Sequence, residues 1–197
     1  MLDSALGRPG SGFARLLDRL ASWLVRAGVT ADGLSYAALG LGLVGAALFY
    51  VDCGGWALAV LVGSGLCDAL DGRVARLGNG ATAWGGVLDL TFDRIVEAAV
   101  LLGIALPHPA WHLPALVLAC TWYVNLCVFL AVGAASDQAR EKLIVYPPGL
   151  LERSESLVFA LAVVLLPSWT PLAAYVYAAL GMYTAAQRLR HGRVHLA

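Results

Sequence analysis

Charge is what this sequence has least of. Only 13% of its 197 residues are Asp, Glu, Lys or Arg, while 60% are hydrophobic. An average soluble domain carries roughly a quarter charged residues and about half apolar ones. The mean hydropathy of +0.76 points the same way: lipid is the expected solvent. Neither sign of charge dominates. Lys+Arg and Asp+Glu each total 13, so no basic excess argues for nucleic acid. Cys53, Cys67, Cys120 and Cys127 form no CxxC pair, and three of them lie in apolar runs. They read as small packing residues rather than redox or zinc-binding thiols. Residues 1–30 lack a leading apolar core with a small-residue cleavage site, so no cleavable signal peptide is expected.

What the sequence does have is a series of six apolar stretches, near 33–51, 55–77, 83–106, 110–134, 154–167 and 170–190. Each approaches the roughly 20 residues that span ~30 Å of hydrocarbon as a helix. The fifth is short and ends at Pro167; a turn at Ser168-Trp169-Thr170-Pro171 follows it. Backbone groups in lipid must be satisfied within the segment, so helices are expected. The loops near Asp52, His108 and Ser168-Trp169 have no Lys or Arg at all. The basic residues fall at Arg8 to Arg26, at Arg73, Arg76 and Arg94, at Arg140, Lys142 and Arg153, and at Arg188, Arg190 and Arg193. This distribution predicts a multi-pass protein with both termini and the 78–82 loop on the cytoplasmic side, in a bacterial inner membrane. Ahead of the first span, Phe13, Leu16, Leu17, Leu20, Trp23 and Leu24 recur with helical period in residues 11–27. They predict an amphipathic helix lying on the membrane surface, against lipid headgroups, or packed on the protein's own cytoplasmic side. The expected architecture is therefore an all-α integral membrane protein. A juxtamembrane segment, 1–30, precedes a six-helix domain, 31–197.

Against this apolar background stand Asp68, Asp71, Asp89, Asp93 and Glu97, in or near spans two and three. One Asp at mid-bilayer costs about 2.5–3.5 kcal/mol on insertion scales, and four bare ones on the order of 10 kcal/mol. Something must compensate. At ~100° per residue, Asp68, Asp71, Gly72, Ala75 and Arg76 share an arc of roughly 140°. Gly85, Asp89 and Asp93 form a second stripe at i, i+4, i+8. A short turn containing Gly78-Asn79-Gly80 joins the two segments, so the stripes can face each other. Four converging carboxylates suit two hard divalent cations, Mg²⁺ or Mn²⁺. No His lies in the region, which argues against zinc. The competing expectation is a set of Asp–Arg salt bridges through Arg73, Arg76 and Arg94.

The stretch Asp68-Ala-Leu-Asp71-Gly72-Arg-Val-Ala75-Arg76, followed by Gly85, Asp89 and Asp93, matches without a gap the pattern D-x2-D-G-x2-A-R-x8-G-x3-D-x3-D. In this the chain resembles the CDP-alcohol phosphatidyltransferases. Fixed spacing at so many positions makes the resemblance specific. It implies that Asp68, Asp71, Asp89 and Asp93 ligate two divalent cations. Asp93 resembles the general base that deprotonates an acceptor alcohol. The alcohol oxygen then attacks the β-phosphorus of a CDP-linked lipid donor such as CDP-diacylglycerol, and CMP leaves. Gly72, Ala75, Arg76 and Gly85 resemble CDP-binding positions, and Thr82 stands where a nucleotide-proximal Ser or Thr is common. Val29-Thr30-Ala31-Asp32-Gly33-Leu34-Ser35 occupies the place of a T-P-N-x-L-T segment, with Asp32 at the donor-contacting asparagine. The alternative for Asp32 is an N-cap of span one.

On the acceptor side, Arg153, Arg188 and the in-membrane Asn125 resemble, loosely, residues that hold an acceptor phosphate. The span-four stretch Thr121–Cys127 has no Lys or Arg, which speaks against inositol phosphate. A small alcohol or phosphorylated polyol is the expected acceptor. The resemblance also implies a homodimer, and membrane lipids rather than nucleic acid as surroundings. A non-enzymatic divalent-cation carrier is the competing function. The acids cluster at one leaflet with no polar series leading outward, which disfavours it.

Overall fold

A computed structural model describes residues 12–78, 80–135 and 153–196. Helices dominate, and no strand occurs among the described residues. One compact unit holds α1 (Gly12–Arg26), α2 (Ala31–Tyr50), α3 (Gly54–Leu77) and α4 (Ala83–Ala105). A second, beginning at His108, holds α5 (His112–Ala135), α6 (Arg153–Leu165) and α7 (Thr170–Leu196). Short 3₁₀ turns at Pro109–Trp111 and Pro167–Trp169 lead into α5 and α7. The apolar stretches therefore became helices α2 to α7, with ends within about two residues of expectation save the last. α7 runs on past residue 190 through Arg193, because hydropathy falls there but no proline interrupts a helix-favouring run.

Among the described residues, two helical stretches, Ala31–Tyr50 and Pro109–Ala135, are long and apolar enough to cross a membrane. The pair Leu157–Leu165 and Pro167–Arg193, bent by 118°, adds a third if it is one span. α3 and α4 have the length, at 24 and 23 residues, but their aspartates and arginines lower their hydropathy. α6 has 13 residues, or about 20 Å at ~1.5 Å per residue, short of a ~30 Å hydrocarbon core. Leu43, Val44, Val62, Leu102, Leu116 and Val176 are exposed on these helices, as an apolar solvent would allow. All four cysteines are free, and Cys53, Cys120 and Cys127 are exposed rather than packed in a core.

In the first unit α2 is the shared partner. It packs against both α3 and α4, whereas α3 and α4 barely approach each other along their backbones. Small residues make this possible. A Cβ on Gly103 of α4 would collide with the Ala46 carbonyl of α2, and one on Gly42 of α2 with Val96 of α4. Tyr36 and Phe92 pair across the same two helices, ring centroids 5.1 Å apart. On the other side the Ser64 hydroxyl of α3 donates to the Ala38 carbonyl of α2 at 2.7 Å, in buried surroundings.

α1 packs on α3. Ala21, Leu34 and Val74 form a buried cluster, with Leu24, Val25 and Leu70 around it. Arg73 Nε donates to Asp18 Oδ1 at 3.0 Å. The apolar positions of α1 thus split. Leu17 is buried, while Phe13, Leu16, Leu20 and Trp23 stay exposed. Ala14 and Ala21, both buried, let the α1 backbone come close to its neighbour. The chain leaves α1 through Gly28, whose φ of +79° suits glycine. Gly28 N–H donates to Val25 O and Val29 N–H to Leu24 O, each at 3.0 Å, which closes the helix end.

In the second unit α5 and α7 pack along each other. Tyr177 stacks on Phe159 at 5.4 Å and meets the edge of Trp122 at 6.2 Å.

The α2–α4 contact gives a test. Gly103→Val should lower stability by about 1–3 kcal/mol, the usual cost of overpacking. Gly40→Ala, where a Cβ meets nothing within 4 Å, should be neutral or gain a few tenths of a kcal/mol. Thermal unfolding in detergent checks both.

Candidate metal and donor site

The acidic stripes do converge. One carboxylate oxygen each from Asp68 and Asp71 on α3 and Asp89 on α4 lie within 4.8 Å of one another. The link spans two helices whose backbones hardly touch, so the carboxylates reach across a gap that α2 maintains. Asp71 is buried and the other two are half-buried. Asp93 is not one of this trio; it stands one turn further along α4, also half-buried. Three like charges this close, in a largely apolar helix group, repel one another strongly. Two of the nearby arginines form ion pairs with acids outside the trio. Arg73 turns to Asp18 of α1, and Arg94 to Glu97 one turn along α4. An all-oxygen carboxylate trio fits a hard divalent cation such as Mg²⁺ or Mn²⁺.

The flanking residues predicted for the donor lie on the same two helices as the trio or at the cap of α4. Gly72 follows Asp71, and a Cβ there would meet only Arg76 Nη1, at 3.5 Å. Ala75 is half-buried and Arg76 exposed, one turn further. Thr82 is the N-cap of α4: its hydroxyl oxygen accepts from Gly85 N–H at 2.9 Å. A Cβ on Gly85 would stand 3.2 Å from that oxygen, so glycine lets the cap close.

Asp32 does not cap α2. Thr30 does, its side-chain oxygen accepting from Gly33 N–H at 3.1 Å. Asp32 lies in the first turn of α2, with Oδ1 4.0 Å from where a Gly85 Cβ would be. The N-terminal ends of α2 and α4 therefore meet, about one turn ahead of Ser35 on α2 and Asp89 on α4.

Sequence reasoning passed over Ser35. Its hydroxyl donates to Asp71 Oδ2 at 2.6 Å, and the bond is buried. The available signal was its position, a polar residue one turn into an otherwise apolar helix and at the end of the T-P-N-x-L-T-like segment.

Among the acceptor candidates, Arg188 of α7 and Asn125 of α5 come together. Arg188 Nη1 donates to Asn125 Oδ1 at 2.7 Å, and its Cζ sits 5.1 Å over the Phe129 ring. Arg153 begins α6; its side chain lies outside the described residues.

A profile of the CDP-alcohol phosphatidyltransferase family matches residues 28–186. The chain belongs to that family. Among curated relatives, it is 31% identical over 140 residues to the phosphatidylinositol phosphate synthase of Cutibacterium acnes, covering 67% of this chain and 62% of that one. The alignment thus spans under two thirds of that relative. It is 31% identical over 192 residues to the phosphatidylinositol phosphate synthase of Mycobacteroides abscessus, covering 90% and 83%. The fold resembles that of Mycobacterium tuberculosis phosphatidylinositol phosphate synthase solved with CDP-DAG bound. The TM-score is 0.76 at 24% identity, over 90% of this chain and 94% of that one. The same protein in complex with manganese and citrate gives 0.74 at 25% identity, over 89% and 88%. As a CDP-alcohol phosphatidyltransferase, the chain is a transferase, and its apolar helices fit a membrane protein. A divalent cation is the cofactor that its carboxylate trio and its family agree on.

Mn²⁺ should accordingly raise the unfolding temperature of the detergent-solubilised protein. At 100 times Kd the gain is about 2.7 kcal/mol. Asp71→Asn and Asp89→Asn should each lose most of it. A wild-type protein indifferent to Mn²⁺ in differential scanning fluorimetry would count against the assignment.

Proposed function

We propose that this protein transfers a phosphatidyl group from CDP-diacylglycerol to the hydroxyl of a phosphorylated cyclic polyol, with inositol phosphate the first candidate, releasing CMP. The observation that carries this is the carboxylate trio of Asp68, Asp71 and Asp89 within a gap-free CDP-alcohol signature. The relatives' names support the acceptor. They outweigh the missing Lys or Arg in Thr121–Cys127, where the Asn125–Arg188 pair offers a different polar arrangement.

In this reading Asp93 joins Asp68, Asp71 and Asp89 around two divalent cations, Mg²⁺ or Mn²⁺. Bound cations supply charge neutralisation on the diphosphate. The chain's own groups do the rest. Asp93 takes the proton from the acceptor hydroxyl as its oxygen attacks the β-phosphorus. Arg76 holds a phosphate oxygen with its planar fork. Gly72, Ala75, Gly85, Thr82 and Asp32 line the nucleotide's place, the glycines letting it approach the backbone. Such transfers depend on positioning and electrostatics more than on covalent help. Arg153, Arg188 and Asn125 serve the acceptor phosphate.

The same reading takes α2 to α7 as six spans, with a short α6. Residues 1–30 are then a juxtamembrane segment and 31–197 the catalytic domain. The exposed Phe13, Leu16, Leu20 and Trp23 of α1 meet the lipid surface. Both termini and the acidic site lie on the cytoplasmic side of a bacterial inner membrane, as the Lys and Arg distribution favours. A homodimer follows from the family resemblance alone.

The test is CMP release from CDP-diacylglycerol with Mn²⁺ and a panel of inositol phosphate, glycerol phosphate, free inositol and serine. Release should be fastest with inositol phosphate. Asp93→Asn should lower it by about 10²–10⁴-fold, the usual weight of a general base, while the protein still folds. No CMP with any acceptor, together with Mn²⁺ flux into liposomes, would instead support a carrier. In the same assay Arg188→Ala should raise the KM for the phosphorylated acceptor while leaving that for CDP-diacylglycerol near its wild-type value.

A further inference from the structure

We propose that Ser35 is a positioning residue for the metal site: it fixes the carboxylate of Asp71 from the neighbouring helix. This inference rests on the divalent-cation reading of the acidic trio. Ser35 and Asp71 are 7% and 8% exposed, and they come from α2 and α3. A serine within a helix ordinarily bonds back to the carbonyl four residues earlier. Here that carbonyl, Ala31 O, lies 3.3 Å away, while Asp71 Oδ2 lies at 2.6 Å. A hydroxyl has one proton to give. The shorter contact, in the range of a charge-assisted O–H···O⁻ bond, receives it.

The consequence falls on the carboxylate's free rotor. Aspartate χ2 is broad and roughly two-fold, so an unrestrained carboxylate samples many orientations. With Oδ2 held by Ser35, the carboxylate of Asp71 is restrained in how it turns toward Asp68 and Asp89. Asp71 has to converge with Asp89 of α4 across a gap that the α3 and α4 backbones do not close. α2 packs on both helices, which makes it the element suited to set this orientation. Ser64 offers an internal comparison. It is buried in the same α2–α3 seam, but its hydroxyl donates to a backbone carbonyl, Ala38 O, at 2.7 Å.

The experiment measures Mn²⁺ binding to the full-length protein in detergent, without substrates, by the EPR signal of free Mn²⁺. CMP release as a function of Mn²⁺ concentration is followed alongside. Ser35→Ala should weaken Mn²⁺ binding by about 10–100-fold, as loss of an outer-shell partner does. Its activity should recover at high Mn²⁺, with the KM for CDP-diacylglycerol little changed. Ser35→Thr, which keeps the hydroxyl, should bind Mn²⁺ close to the wild type. Ser64→Ala should lower thermal stability without moving Mn²⁺ affinity. Wild-type Mn²⁺ affinity in Ser35→Ala would overturn the inference, as would an equal loss in Ser64→Ala. Mn²⁺ binding that depends on Ser35 without any CMP release would uphold it while removing the transferase reading. A wild-type protein that binds no Mn²⁺ would overturn the metal reading and this inference together.

Discussion

Three carboxylates held within 4.8 Å of one another, in a chain with so little other charge, set the terms for the first half of this structure. Their mutual repulsion opposes folding unless a cation gathers them. Of the neighbouring arginines, Arg73 is engaged by Asp18 and Arg94 by Glu97. The helices must therefore present the acids accurately enough for a small hard ion. The close α2–α4 contact at Gly103 and Ala46 and the α2–α3 bond from Ser64 both serve that presentation. α2 works as a spacer whose thickness sets how far apart the two acid-bearing helices stand.

The second half is organised differently. Among its described residues, Arg188 is held by an amide oxygen and an aromatic ring. An arginine fixed in this way has less freedom to lose when it binds an anion, because its planar fork is already oriented. The family's chemistry divides in the same sense. The donor signature is contiguous in sequence and lies wholly in α3 and α4, while the residues proposed for the acceptor are scattered over later helices.

That difference explains what was legible in the sequence. Helix positions could be read because an apolar run in lipid has one way to satisfy its backbone. The convergence of Asp68, Asp71 and Asp89 could be read because helical spacing places i, i+3 and i+4 on one face. Ser35 could not be found this way. Its importance depends on a contact between residues 36 positions apart, and a lone serine in an apolar helix looks like any other. Capping of α2 is one of two alternatives for Asp32 in the sequence; Thr30, two residues earlier, takes that role, and composition alone does not separate the two. Leu16 and Leu17 share a helical period but not a fate. Which one is buried depends on where α3 lies, and small Ala14 and Ala21 decide how closely it can lie.

The spacer arrangement also bears on how such a chain enters a bilayer. α2 is apolar enough to partition on its own, whereas α3 and α4 each carry charges that make an isolated helix a poor substrate for the insertion machinery. In the six-span reading, α2 would already be in lipid when the next two helices emerge from the ribosome. It would offer them a glycine-notched surface and a buried serine hydroxyl to dock against. A helix that fixes the geometry of the finished site would thus also be the surface on which its two acidic neighbours dock.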